Sequence, residues 1–171
     1  MGETMATLDS PVINIADIAM MDRGNGEAFA VKWGRVGTQL GLSALGCALH
    51  VVPPGKRAFP FHRHHVMDEL FFILSGTGQY RWGEKTFSLK TGDLVGAPAG
   101  TEAHQIINTG GEDLLYLGIS SDAPAEVVDY PDSGKIGVVA GVKNGDFMSA
   151  TYRGLGRLTK ADYWDGEGGK S

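Results

Sequence analysis

Three histidines share one tetrapeptide, His62-Arg63-His64-His65, and a fourth, His104, opens a later apolar run. In an extended segment side chains alternate, so His62 and His64 project from one face and His65 from the other. Two imidazoles side by side in a pocket can share one metal ion. An ion held by neutral imidazoles also needs an anionic partner, and Glu69, at the head of the run ELFFIL, supplies charge and an oxygen donor. His62, His64, Glu69 and His104 are therefore the candidate ligands of one divalent transition metal. An octahedral ion with four protein ligands keeps two positions open for water, substrate or dioxygen. The same donor set holds iron, manganese, nickel, zinc or copper. Open positions permit Lewis-acid work on a carbonyl or hydroxyl, or oxygen activation at ferrous iron.

Such a set needs a scaffold that brings distant stretches of chain together. Of 171 residues 26 are glycine, about twice average usage, and glycine inside a helix costs roughly 1 kcal/mol relative to alanine. The glycines disfavour a mainly helical fold. From Ala28 onward, short runs such as AFAVKW, CALHVV, ELFFIL, QYRW, KTFSL, DLVGAP, HQIIN and DLLYLGIS alternate with turn signals, the pattern of an antiparallel sandwich or barrel. RWGEKTF reads as a two-residue hairpin turning at Gly83. After Ser120 the pattern loosens through DAPAEVVDYPDSGK, and IGVVAGV and FMSATY read as two further strands. We expect an all-β chain with an N-terminal arm over 1–27, one antiparallel β-barrel over 28–152 and a polar tail over 153–171.

Two linked spacings stand in the middle of the chain: Gly55-x6-His62-x-His64-x4-Glu69-x6-Gly76, then Gly92-x5-Pro98-x-Gly100-x3-His104-x3-Asn108. They closely resemble the two motifs of the cupin superfamily in its small single-domain bacterial form, with one extra residue between Gly55 and His62. The resemblance implies a double-stranded β-helix, or jelly-roll barrel, with the ion near one end of its cavity. Carried over residue by residue, it implies the ligands His62, His64, Glu69 and His104. It further implies a small metal-dependent enzyme acting on a sugar, sugar phosphate or carboxylic acid, by isomerase or epimerase chemistry or by dioxygenase chemistry. The alternative is a non-catalytic sensor or carrier in which the metal anchors a ligand. Cupins of this size are usually homodimers, and the segment Phe29 to Trp33 is a candidate for strand exchange. Tyr130 to Lys135 resembles a stretch of sugar-phosphate isomerase-like cupins, but Pro131-Asp132-Ser133-Gly134 is first of all a turn sequence.

Other residues constrain the reading. Phe71, Ile73 and Ile106 share the face of the candidate ligands and make the expected cavity apolar. Gln79 and Arg81 lie on one face of QYRW and either line that cavity, offering an amide and a guanidinium to an anion, or face solvent. General acid and base residues cannot be assigned from the spacing. His50, within CALHVV, reads as a core or pocket histidine, and His65 and Asp68 as rim residues. Asn108 and Pro98 read as turn and corner residues. The single cysteine, Cys47, rules out an internal disulfide. A formal net charge of -5 with no basic run gives no footprint for nucleic acid or an anionic membrane. MGETMATLDSP lacks a secretory pattern, and Ala6 breaks the acylation motif; a cytoplasmic protein with a small-molecule ligand is expected.

Overall fold

The computed structural model describes residues 10–143 and 147–168; of the stretch read for secretion and acylation signals, residues 1–11, the first nine lie outside them. The elements in chain order are β1 (Met21–Asn25), β2 (Phe29–Gly34), a one-turn helix α1 (Val36–Gln39), β3 (Leu45–Val52), β4 (Arg63–His64), β5 (Glu69–Ser75), β6 (Thr77–Trp82), β7 (Lys85–Lys90), β8 (Leu94–Ala97), β9 (His104–Ile107), β10 (Leu114–Ser121), β11 (Ala125–Tyr130), β12 (Lys135–Ala140) and β13 (Tyr152–Gly156). All pairings between strands are antiparallel. They form a six-stranded sheet in the order β1-β2-β3-β10-β5-β8, a three-stranded sheet β7-β6-β9 and a four-stranded sheet β13-β12-β11-β4. This is the expected double-stranded β-helix.

Strand β5 shows how the pattern becomes a barrel wall. In ELFFILS the side chains alternate, so Phe71 and Ile73 are buried while Leu70 and Phe72 face out. Phe71 and Ile73 join Val52, Val95, Leu114 and Tyr116 from the large sheet with Tyr80, Leu89 and Ile106 from the small one in a single core. The two sheets thus close over one apolar interior, each large side chain contributing about 1.5–3 kcal/mol on burial. A second cluster of Ile18, Val36 and Leu49 lets the N-terminal segment and α1 cover the outer face of the large sheet.

The chain turns where the motifs place glycine. Gly55, Gly76, Gly92 and Gly100 all adopt positive φ, a conformation side chains other than glycine rarely take. At Gly76 the constraint is doubled, because a Cβ there would lie 2.7 Å from the Asp113 carbonyl oxygen. The hairpin at Gly83 also forms as expected, with Trp82 opposite Lys85.

Two local expectations are corrected. AEVVDY forms the full strand β11, although its sequence lacks clean alternation. FMSATY is no single strand: Phe147–Ser149 is a 3-10 turn and β13 begins at Tyr152. Phe29 to Trp33 forms most of β2, paired to β1 on one side and β3 on the other. The turn reading of Tyr130 to Lys135 is correct, for Ser133 and Gly134 donate backbone N–H groups to the Tyr130 carbonyl. In the tail, Tyr163 and Trp164 pack edge to face on each other and remain exposed. Among the described residues no helix is long and apolar enough to cross a membrane.

Candidate metal centre

Each candidate ligand is placed by a different piece of the barrel. Glu69 opens β5 in register with Ser120 of β10 and Ala97 of β8, on the inner face of the large sheet. His104 opens β9 opposite Trp82 of the small sheet. His62 precedes β4 and is tied to β9 by two backbone hydrogen bonds, each of His62 and His104 donating its N–H to the other's carbonyl at 3.1 and 2.7 Å. His64 lies on β4, which pairs with β11.

Three imidazoles converge on one carboxylate oxygen. Glu69 Oε2 lies 2.9 Å from His104 Nε2, 3.6 Å from His64 Nε2 and 3.9 Å from His62 Nε2. Donor atoms of His62, Glu69 and His104 all fall within 4.8 Å of one another. His64 stands beside this trio, its ring centroid 5.1 Å from that of His62. The Pro60 carbonyl, 2.7 Å from His62 Nδ1, can only accept a hydrogen bond. The ring proton of His62 therefore sits on Nδ1, and the Nε2 lone pair is free.

Charge and burial fit a divalent cation. Burial, reinforced by the neighbouring His104, lowers the His62 pKa to about 4, so the ring is neutral near pH 7. Burial alone would raise Glu69, but the 2.9 Å approach of His104 and the positive charge that His64, His104 and His62 carry when protonated outweigh it and hold the carboxyl at about 2. Glu69 Oε2 and His104 Nε2 are buried, yet neither makes a hydrogen bond of good geometry despite their 2.9 Å approach. Buried polar atoms left in this way cost roughly 1–3 kcal/mol each, and a cation shared between them removes that cost. A carboxylate with neutral imidazoles is also the donor chemistry of a divalent transition metal.

A cavity of about 400 Å³ adjoins these residues and is walled chiefly by Trp33, Phe59, Met67, Phe71, Ile106 and Tyr116. Arg23, Arg35, Thr38, Ser120 and Gln105 add polar groups, and the Gln105 amide donates to the Phe59 carbonyl at 2.8 Å. His50 also lines the cavity, stacked on Tyr116 with ring centroids 4.6 Å apart. Burial lowers its pKa to about 4, in keeping with its reading as a pocket histidine. Burial likewise pushes the Cys47 thiol up, which suits an inert thiol.

Of the expected cavity residues, Phe71 and Ile106 line the cavity, whereas Gln79 and Arg81 do not. Tyr80, between them, is the inward residue of β6. The Arg81 guanidinium instead lies over the Phe61 ring, 3.5 Å from its centroid, and donates to both carboxylate oxygens of Asp132 at 2.8 and 3.0 Å. The Arg81 pair is half exposed, so Asp132→Ala should cost less than about 1 kcal/mol. A thermal melt of that variant should shift by no more than a few degrees, with metal content unchanged.

His65 and Asp68 sit at the rim. Asp129 accepts from Arg63 Nε at 2.8 Å and lies 2.8 Å from His65 Nε2, while Asp68 accepts the Ala99 backbone N–H. Sequence reasoning missed Glu126. This β11 residue is 1 % exposed and lies beside His64. The only local sign was a carboxylate beside the apolar pair Val127 and Val128.

Residues 48–120 match the family described as Cupin domain. The chain is 35% identical over 68 residues to an oxalate-binding protein of Thermotoga maritima, covering 40% of this chain and 54% of that protein. It is 31% identical over 101 residues to auxin-binding protein 1 of Arabidopsis thaliana, covering 54% and 50% respectively. The chain thus spans about half the length of these curated relatives. Among solved structures, a candidate sugar phosphate isomerase of Acidithiobacillus ferrooxidans superposes with a TM-score of 0.69 at 26% identity, covering 88% of this chain and 97% of that one.

Proposed function

Taking as premise that this chain is a small cupin whose domain match covers residues 48–120, we propose that it binds one divalent transition metal through His62, His64, Glu69 and His104 and uses it to hold a small carboxylic acid. The observation that carries this reading is the convergence of three imidazole Nε2 atoms on the buried Glu69 oxygen at the end of an apolar cavity. A divalent ion bound there would supply Lewis acidity and open positions for an anionic oxygen of the ligand.

The chain's own residues select what enters. Trp33, Phe59, Phe71 and Tyr116 exclude water and accept an apolar body, while Arg23, Arg35, Thr38, Ser120 and Gln105 offer polar contacts. Glu69 is the only carboxylate among the lining residues, and Arg23 and Arg35 add two guanidinium groups, so the cavity suits an acid held by the ion or by a guanidinium. The relatives named as binding oxalate and auxin support a small-molecule ligand for this site. Turnover of the bound acid, by isomerase- or dioxygenase-type chemistry, is the enzymatic form of the proposal. A second, non-catalytic reading is favoured by one observation: His50, the most evident proton acceptor in the cavity beyond the candidate ligands, has its pKa lowered to about 4 by burial and is a weak base.

Metal analysis of untagged protein, followed by calorimetric titration with oxalate and with an aryl carboxylate, tests the proposal. Near-stoichiometric divalent metal is expected, together with carboxylate binding that chelation abolishes. Absence of bindable metal, or carboxylate binding indifferent to chelator, would overturn it. Homodimerisation belongs to the same proposal, supported by the apolar pair Phe72 and Leu94, opposite each other on the exposed outer face of β5 and the edge strand β8.

A further inference from the structure

Resting on this metal-binding reading, we infer that Glu126 is a positioning residue that sets the tautomer and orientation of His64. Its side chain is fully buried, a costly place for a carboxylate without partners. Its two oxygens accept four backbone N–H groups, from Val127 at 2.7 Å, Met67 at 2.8 Å, His65 at 3.0 Å and Val66 at 3.1 Å. Three of these donors follow His64 directly in sequence, so one side chain from β11 fixes the whole turn between β4 and β5.

The fifth neighbour is the imidazole. His64 Nδ1 lies 3.4 Å from Glu126 Oε2, is buried, and makes no hydrogen bond of good geometry. A carboxylate oxygen is an acceptor, so the nitrogen beside it is stabilised when it bears a proton and repelled when it presents a lone pair. The proton therefore belongs on Nδ1, which leaves the lone pair on Nε2, the atom 3.6 Å from Glu69. His62 reaches the same state through the Pro60 carbonyl. Two neighbouring histidines thus have their outer nitrogens beside oxygen acceptors and their inner nitrogens toward Glu69, the arrangement by which outer partners orient metal ligands. Glu126 lies beyond residues 48–120. The centre accordingly draws on a strand outside the matched domain, one that also pairs with β4 at Val128 opposite His64.

Nitrogen-15 NMR of histidine-labelled, metal-free protein tests the inference together with metal affinity of Glu126→Gln. Glutamine keeps the volume and one acceptor but exchanges the other oxygen for a donor. In the wild type, His64 should carry its proton on Nδ1. In Glu126→Gln that preference should be lost and metal affinity should fall about 10- to 100-fold. A wild-type His64 protonated on Nε2, or a folded Glu126→Gln with wild-type tautomer and affinity, overturns the inference. The wild-type spectrum needs no variant, so it decides the question even if Glu126→Gln does not fold. A wild type that binds no metal, yet shows the Nδ1 proton on His64, would sink the metal-binding proposal and leave the tautomer assignment standing.

Discussion

Glu69→Gln is expected to lose divalent-metal binding while keeping the barrel. Glu69 supplies the only carboxylate among the four candidate ligands, and its Oε2 is the atom on which three imidazoles converge. Glutamine preserves shape and one carbonyl oxygen but removes the charge that compensates the ion. Loss of a supporting partner outside the ligand shell costs about 10- to 100-fold in affinity. Removal of this ligand should cost at least about 100-fold. Inductively coupled plasma analysis of untagged protein, with competition against a chelating dye, reads the effect directly. The metal-free variant should keep the β-sheet circular dichroism of the metal-free wild type, because glutamine has nearly the same volume in that buried position. Metal retained at wild-type affinity would remove Glu69 from the site.

Asn108→Ala should give the largest loss of stability without touching the metal centre. Asn108 is fully buried. Its amide donates to the Val52 and Glu112 carbonyls at 2.7 and 2.8 Å, and its Oδ1 accepts the Gly110 N–H at 2.9 Å. One side chain therefore joins the end of β3 to the turn between β9 and β10. Alanine leaves up to three backbone groups without partners at roughly 1–3 kcal/mol apiece, partly relieved by entering water. A net loss of about 3 kcal/mol is expected, which at this chain length lowers the melting temperature by about 6–12 °C. Metal content per folded chain should be unchanged. A melt within about 2 °C of wild type would show that the turn holds itself without Asn108.

The parts of the fold and site legible in the sequence are those governed by local rules. Phe71 and Ile73 face inward because strand side chains alternate, and the same parity separates His62 and His64 from His65, which meets Asp129 on the far side. Positive φ at Gly55, Gly76, Gly92 and Gly100 follows from turns that glycine permits. Asn108 was legible as a turn residue, although its burial and three hydrogen bonds were not.

What stayed hidden was set by partners far away in the chain. Alternation in QYRW leaves two choices, and nothing within those four residues says which face is covered. The structure turns Tyr80 inward and leaves Arg81 to Asp132, a residue brought near only by the turn between β11 and β12. AEVVDY was illegible as a strand because its inward residue is a glutamate, which local hydrophobicity assigns to solvent. Glu126 is tolerated inside because the turn after His64 presents backbone N–H groups to it.

By itself, then, the sequence determined the all-β class, the chain reversals and the four residues proposed as metal ligands, since these depend on strand parity, glycine conformation and donor chemistry along short stretches. Tertiary structure alone decided which face of β6 looks inward, that β11 exists, and that its carboxylate stands behind His64. Those outcomes depend on cross-strand register between segments some sixty residues apart, such as His64 and Val128, where hydrogen bonds made in the folded chain override the preference of each residue read alone.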